Sequence, residues 1–375
     1  MLQGRITLLH TSDLHIEWLF ERYPTQMRQK RRREILGVWD RLADLAVERQ
    51  VAAALVTGDL FHSPTPSLGS LAAVVSTMRR LEEHGIKVVI IPGNHDPLGA
   101  NSVFQWGDFP RNVYIFLEPE LGTYDGIEGL TIHGAPYYAA DKTRRLLQGF
   151  QVNRALGNNF QVAMLHGTFK GVPVGDEDYS PIYPEDIAES GFDYVALGHY
   201  HDYRDCSSQT VKSAYPGSPV RLGFGNLAPR RALIVTLDPL EGTSIEPVEI
   251  ADRRYEVVEQ EIGQLSLVDL YEKIRRMADP ELCLKVLIEG ITADPDLARG
   301  FSAGEISGQF APLFFHLEVE DRTTVLPDLS DNLDQTTVKG IFLQKCRKML
   351  EESPERRVVE EALRLGLRAL RGGSL

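Results

Sequence analysis

The sequence predicts an α/β protein built as a main domain of buried strands alternating with helices, a smaller α/β unit and a closing pair of helices. Three observations predict it. Apolar runs rich in Val, Ile and Leu alternate with stretches of helical periodicity, the rhythm of strands covered on both faces. Five of those runs end in Asp, Asn or His, and after about residue 251 the rhythm changes.

Taken in order, ITLLHTSDLH (6–15) is a strand that delivers Asp13 and His15. EILGVWDRLADLAVE (34–48) repeats apolar residues at helical spacing, and VAAALVTGDLFH (51–62) is a strand delivering Asp59 and His62. SLGSLAAVVSTMRRLEEHG (67–85) is a second helix ended by glycine. KVVIIPGNHD (87–96) then delivers Asn94, His95 and Asp96, QVAMLHG (161–167) supplies His166, and YVALGHYH (194–201) supplies His199 and His201. Ligand sites in open α/β sheets gather at the carboxyl ends of strands, so the five ends can converge on one crevice. Residues 205–250 read as turn-rich strands that complete this domain, 1–250.

From 251 to 325 the pattern is strand (RRYEVVEQEI), helix (SLVDLYEKIRRMA, with Ser266 as N-cap), strand (ELCLKVLIEGIT), a glycine-containing segment and strand (LFFHLEVED). VLPDLSDNLDQ (325–335) has the composition of a linker. Two amphipathic helices follow over 336–372, broken at Ser353-Pro354. Val358, Val359, Ala362, Leu363, Gly366, Ala369 and Leu370 form an apolar stripe on the second.

Composition narrows the function. The 375 residues carry a net charge of -13, which argues against coating nucleic acid by bulk electrostatics and requires a local site for any polyanion. Cys206, Cys283 and Cys346 are scattered without CxxC spacing, which fits a reducing compartment. The sequence has neither a leader-like start nor an apolar run of membrane-spanning length, so the expectation is a soluble cytoplasmic protein.

Asp13 and His15, like His199 and His201, stand at i, i+2, which on an extended strand end would place both side chains on one face. Asp59 can bridge two cations, and Asn94 offers a neutral carbonyl oxygen. Two carboxylates, one amide and four imidazoles form a mixed N/O set suited to Mn²⁺ or Fe²⁺ and usable by Zn²⁺. Two ions about 3.5–4 Å apart clamp the attacking and leaving oxygens of phosphoryl transfer and lower the pKa of a bridging water. The Gly93 turn would aim Asn94 at a metal and His95 past it, at the substrate. Asp96 is read as fixing that turn. His10, His133, His84 and His316 are read as structural. The basic run MRQKRRRE (27–34) is either a solvated helix face or a contact for phosphates.

The ordered blocks D-x-H (Asp13, His15), G-D (Gly58, Asp59), G-N-H-D (Gly93 to Asp96), H (His166) and G-H-x-H (Gly198 to His201) resemble the calcineurin-like metallophosphoesterases. GDLFH with His62, the later PGSP (216–219) and the small unit followed by helices look like the SbcD-type nuclease branch of double-strand-break repair. The resemblance implies a four-layer αββα sandwich, a capping domain over 251–325 and two Mn²⁺ ions. One ion would take Asp13, His15, Asp59 and His201, and the other Asp59, Asn94, His166 and His199. His95 would protonate the leaving oxygen or stabilise the transition state, and His62 would seat the scissile phosphate. It also implies DNA as substrate, a homodimer, and an SbcC-type coiled-coil ATPase gripped by the C-terminal helices. One departure stands out: where the family commonly has glycine two residues beyond the first histidine, this chain has Glu17, followed by Trp18.

The same dimetal core serves phosphodiesterases and phosphatases for small molecules, nucleotides or phosphoproteins, so fold leaves substrate open. A scaffold without catalysis is the third reading, opposed by the cost of keeping seven polar groups converging on one point.

Overall fold

The computed structural model describes residues 4–154, 159–170, 179–225, 227–261, 266–292, 302–325, 336–352 and 356–370. Contacts divide the chain between Asp252 and Arg253.

In the first unit, strands β1 (Ile6–Thr11), β2 (Ala53–Thr57), β3 (Lys87–Ile91) and β4 (Val113–Ile115) are parallel neighbours. They are extended by antiparallel β11 (Arg231–Asp238) and β12 (Gly242–Glu249), giving the order β12-β11-β1-β2-β3-β4. A second six-stranded sheet has the order β5-β6-β7-β8-β10-β9. Its members are β5 (Gly122–Ile127), β6 (Leu130–Gly134), β7 (Phe160–His166), β8 (Tyr194–Gly198), β9 (Arg204–Asp205) and β10 (Lys212–Tyr215).

The two sheets face each other across one core. Leu8, Leu55, Val89 and Val235 from the first meet Leu130, Val162, Met164 and Ala196 from the second. Full burial of each such Leu, Val or Met side chain contributes about 2 kcal/mol. Alternation sends Leu9, Ala54, Val56, Val88 and Ile90 to the opposite face of the first sheet, where they are equally buried. Helices α1 (Thr25–Glu48) and α2 (Leu68–Glu83) supply that cover through Ile35, Val38, Leu42, Val74 and Met78, with Trp39 Nε1 donating to the Val74 carbonyl. Helix α3 (Val103–Trp106) is a single turn. The outer face of the second sheet is thinner: Leu165, Val195 and Leu197 pack on Ile187 of the short helix α4 (Pro184–Ser190) and on Phe169, Ile182 and Phe192. The layers are therefore helix, sheet, sheet and a partly helical cover.

The second unit begins as three parallel strands, β13 (Tyr255–Glu261), β14 (Asp279–Thr292) and β15 (Phe314–Val325), in sequence order. Helices α5 (Leu267–Arg276) and α6 (Ala303–Phe310) bury Leu270, Ile274, Ile306 and Phe310 against Leu284, Val286 and Ile288. Ser266 and Asp269 close a reciprocal capping box on α5. Helices α7 (Val338–Glu352) and α8 (Arg356–Leu370) share a separate cluster of Leu343, Cys346, Leu363 and Leu367. Gly366 permits their approach, since a Cβ there would strike the Phe342 ring. The apolar stripe of α8 is split by this packing: Val359 and Leu363 are buried, while Val358, Ala362, Ala369 and Leu370 are exposed. The linker at 326–335 and the Ser353-Pro354 break lie outside the described residues.

Candidate metal centre

The parallel strands β1, β2, β3, β7 and β8 each carry their candidate ligands at the carboxyl end, His166 as the last paired residue of β7 and the others within four residues beyond their strand. The loops do not stay extended. Asp13, His15, Asp59 and His199 all have positive φ, at 55°, 47°, 52° and 119°. This corrects the expectation that the i, i+2 pairs lie on extended strand ends; β1 stops at Thr11 and the next residues turn left-handed. Each such residue costs about 1–2 kcal/mol. A backbone ladder offsets it: Asp13 N–H donates to the Gly58 carbonyl at 3.1 Å, His15 N–H to Asp59 at 3.0 Å, Ile16 N–H to Leu60 at 3.0 Å and His62 N–H to Ile16 at 2.9 Å. The loops after β1 and β2 thus continue the sheet by other means.

Asp59 stands at the centre. Its Oδ2 is 3.7 Å from His15 Nε2 and 3.6 Å from His166 Nε2, while Oδ1 accepts the His95 N–H at 2.8 Å. Asp13 Oδ1 lies 4.0 Å from His15 Nε2 and 3.9 Å from His201 Nε2, and those two nitrogens are 3.0 Å apart. Asn94 Oδ1 is 2.8 Å from His166 Nε2 and 3.3 Å from His199 Nδ1. His95 and His62 stack with ring centres 5.1 Å apart, His95 is edge-on to His15 at 4.7 Å, and the three imidazoles bring one nitrogen each within 4.8 Å of one another.

The residues fit divalent cations on three grounds. Among the described residues, buried Asp13 Oδ1 has no hydrogen-bond partner, an arrangement a cation would relieve. His166 Nδ1 lies 2.8 Å from the Thr57 carbonyl, so Nδ1 carries the proton and Nε2 presents a lone pair to the cluster. Burial, then the charges of Asp13 and Asp96, pushes the Asp59 carboxyl well above its ordinary range. Burial likewise holds His15 well below, and His166 down to about 4, so both imidazoles are neutral and ready to coordinate.

Supporting residues fix the ligands. Asp96 is fully buried and its carboxylate accepts from Gly93 N–H at 2.7 Å, Asp59 N–H at 3.2 Å and Phe61 N–H at 3.0 Å, tying the Gly93 turn to the loop after β2. Gly93 is required because a Cβ would strike the Asp59 carboxylate. Several contributors went unread in the sequence. Ser12 Oγ reaches the Thr57 carbonyl at 2.9 Å and the Asp13 carboxylate at 2.5 Å. Ser218, inside PGSP, donates its N–H to the His201 carbonyl at 3.0 Å and places Oγ 2.7 Å from the Asp13 carbonyl. Buried Arg230 donates to the His201 carbonyl at 3.0 Å. The available signal was Ser or Thr beside three of the five segments: Thr11 and Ser12, Thr57, and Thr168.

The remaining histidines are structural. His10 is fully buried between Tyr194 OH and Thr57 Oγ1 at 2.8 and 2.9 Å, and burial pushes its pKa down to about 3. His133 contacts Gln161 at 2.8 Å, His84 caps α2, and burial lowers His316. The basic run divides three ways. Arg31 is buried against Asp252, Glu34 and the Arg221 carbonyl, Arg33 is exposed, and Arg32 Nε donates to the Trp18 carbonyl at 3.2 Å.

Among curated proteins, the chain is 32% identical over 223 residues to the uncharacterized metallophosphoesterase YhaO of Bacillus subtilis, covering 57% of this chain and 53% of that protein. It is 25% identical to the DNA double-strand break repair protein Mre11 of Methanosarcina mazei over 98% of this chain and 55% of that protein. With Mre11 of Haloferax volcanii it shares 24% over 80% of this chain and 65% of that protein. The chain thus spans about half to two thirds of the length of these relatives. A solved dimetal phosphatase from Danio rerio is 10% identical with a TM-score of 0.40, covering 66% of this chain and 99% of that one. The calcineurin-like phosphoesterase family model matches residues 6–203, every ligand-bearing strand end included, and the chain belongs to that family.

Proposed function

We propose that the protein is a dimetal DNA nuclease that hydrolyses phosphodiester bonds in DNA end processing and repair. The observation that carries this reading is the pair of stacked imidazoles, His62 and His95, standing beside a carboxylate flanked by two histidines. A dimetal cluster serves any phosphoester; a further pair of imidazoles outside the proposed ligand set suits a diester whose leaving group must be protonated. The similarity to Mre11 proteins along most of the chain supports DNA as substrate.

In this reading one ion takes Asp13, His15, Asp59 and His201, and the other Asp59, Asn94, His166 and His199. The mixed nitrogen and oxygen set suits Mn²⁺. When bound, such a pair neutralises the phosphoryl oxygens and makes an attacking water acidic. His95, held by the bond from its N–H to Asp59, protonates the departing oxygen or stabilises charge on the transition state, and His62 seats the scissile phosphate. Residues 251–325 cap the cleft, the 336–372 helix pair docks an SbcC-type coiled-coil ATPase, and the chain works as a dimer in the cytoplasm. No helix of the described residues is long and apolar enough to cross a membrane.

A second reading, a phosphodiesterase or phosphatase for a small molecule, nucleotide or phosphoprotein, is favoured by the net charge of -13. Cleavage of end-labelled single- and double-stranded DNA in Mn²⁺, beside bis-p-nitrophenyl phosphate, separates them in wild type and His95→Ala. The nuclease reading requires DNA cleavage that the variant loses; cleavage of the small diester alone, with or without an ATPase partner, sinks it.

A further inference from the structure

One side of the metal centre is built by residues outside the ligand set. Trp18 N–H donates to the His15 carbonyl at 2.9 Å, closing a turn whose third residue is Glu17 with φ 76°. That is a conformation glycine adopts freely and glutamate does not. The strain is compensated at a distance: both Glu17 carboxylate oxygens accept the Ser67 N–H at 3.1 Å, and Oε1 accepts the Ser70 hydroxyl at 2.7 Å, at the start of α2. A glycine would make the turn without strain, yet it would leave the turn unanchored. With Glu17, the next side chain is fixed. The Trp18 indole lies 4.5 Å from the His62 ring and 5.5 Å from the His15 ring, centre to centre.

Arg32 completes this wall. Its Nε is held by the Trp18 carbonyl, and among the described residues its two Nη nitrogens make no hydrogen bond or ion pair. Glu17 is near enough for the Arg32 charge to help lower its carboxyl pKa, yet its carboxylate oxygens accept from Ser67 and Ser70 and make no ion pair with the guanidinium among the described residues. The guanidinium is close enough to His62 to add, after burial and His95, to the lowering of that imidazole's pKa. Arg32 is thus a half-buried cation held at the Trp18 main chain and near the His62 imidazole, while the Trp18 indole faces the His62 and His15 rings, a combination that suits an anion attached to a ring.

The geometry points to Trp18 and Arg32 as a subsite for the nucleotide adjoining the scissile phosphate, with Arg32 binding that nucleotide's own phosphate and Trp18 stacking on its base. This rests on the nuclease reading and deepens it. Stacking of a base on an aromatic side chain tolerates any sequence, and a fork of free N–H donors matches a phosphate without reading bases. The wall therefore grips a strand and selects polymeric over small diesters.

The test is steady-state cleavage of a thymidine hexanucleotide and of bis-p-nitrophenyl phosphate in Mn²⁺ by wild type, Arg32→Ala, Arg32→Lys, Trp18→Ala and Trp18→Phe. Arg32→Ala should raise KM for the hexanucleotide about tenfold with kcat retained. KM for the small diester, which has no second phosphate, should stay unchanged. Arg32→Lys should recover much of the affinity, and Trp18→Phe should outperform Trp18→Ala on the hexanucleotide. Binding of a labelled, hydrolysis-resistant phosphorothioate strand, followed by anisotropy against salt, should lose about 0.7 of its log–log slope in Arg32→Ala. Parallel losses on both substrates, or an unaltered salt slope, would mean a structural role and overturn the subsite while leaving the nuclease intact. A wild type that cleaves only the small diester overturns both.

Discussion

The two sheets contribute to the metal centre unequally. The first provides both carboxylates, the amide and one histidine; Asp13, His15 and Asp59 stand on left-handed turns tied together by a backbone ladder, and the Asp13 and His15 side chains are 0% exposed. The second provides three histidines, of which His166 is buried and His201 is 44% exposed at its side chain. The anionic half is thus set by the fold, whereas part of the imidazole half hangs at the edge of the cleft. Charge that is expensive to bury has been placed where the backbone can hold it, and the adaptable ligands sit opposite.

The sharpest test of that division is Asp59→Asn, which removes the central charge. Loss of activity should exceed a hundredfold and metal content by elemental analysis should fall below two ions per chain. In chelator the same variant should melt at or above the wild type, because a buried carboxylate beside Asp13 and Asp96 has lost its charge. A lower melting temperature in chelator would show that the ligand cluster stabilises the fold without metal.

Next in size is the contrast between His166→Ala and His201→Ala. The first empties a buried imidazole site and removes one of the two donors at the Thr57 carbonyl, Ser12 Oγ remaining, and should cost about 1–3 kcal/mol of stability in chelator. The second should leave metal-free stability within about 0.5 kcal/mol while weakening metal binding. Equal melting temperatures for the two variants would break the comparison. Saturating Mn²⁺ at about 100 times its Kd should add about 2.7 kcal/mol to wild-type stability. Hydrogen exchange should place the gain at the ends of β7 and β8. A gain concentrated in α1 and α2 would contradict the division.

Ser218→Ala tests the tie between the halves, since Ser218 touches the main chain of both Asp13 and His201. Metal affinity should drop about tenfold, read by titration calorimetry. At neutral pH the smallest effect belongs to His10, whose folded pKa lies near 3, below that of the unfolded chain. The folded state refuses a proton that the unfolded state accepts below about pH 6.5, so stability is complete above that pH and falls as pH drops toward 3. His10→Asn should flatten urea-derived stability in that window; an unchanged slope would assign the acid sensitivity elsewhere.

That the candidate ligands would meet was legible because each sits within a few residues of a strand end and is of a type that coordinates metals. Their conformations were not, since nothing local distinguishes the left-handed Asp13 from an extended one; the ladder that holds it comes from Gly58. Ser218, Arg230 and Arg31 were unreadable for a related reason: their partners are Asp13, His201 and Asp252, and a single sequence carries no record of which distant segments meet. Helix α1 begins at Thr25, nine residues before the expected start at Glu34, because its first turns are mostly polar and lack the periodicity that starts at Ile35. The Glu17 turn was noticed as a departure, while its anchoring to Ser67 required the fold.

The carbonyl oxygen of Thr57 receives His166 Nδ1 at 2.8 Å from one sheet and lies 2.9 Å from Ser12 Oγ, beside Asp13, in the other. A Cβ on Gly198 would strike it, so the second sheet can approach no closer with any larger residue there. That atom belongs to the main chain and survives every substitution at position 57 except those that move the strand. The gauge of the two-ion site is therefore inherited with the fold, and drift among its side chains can retune chemistry while the spacing stays put.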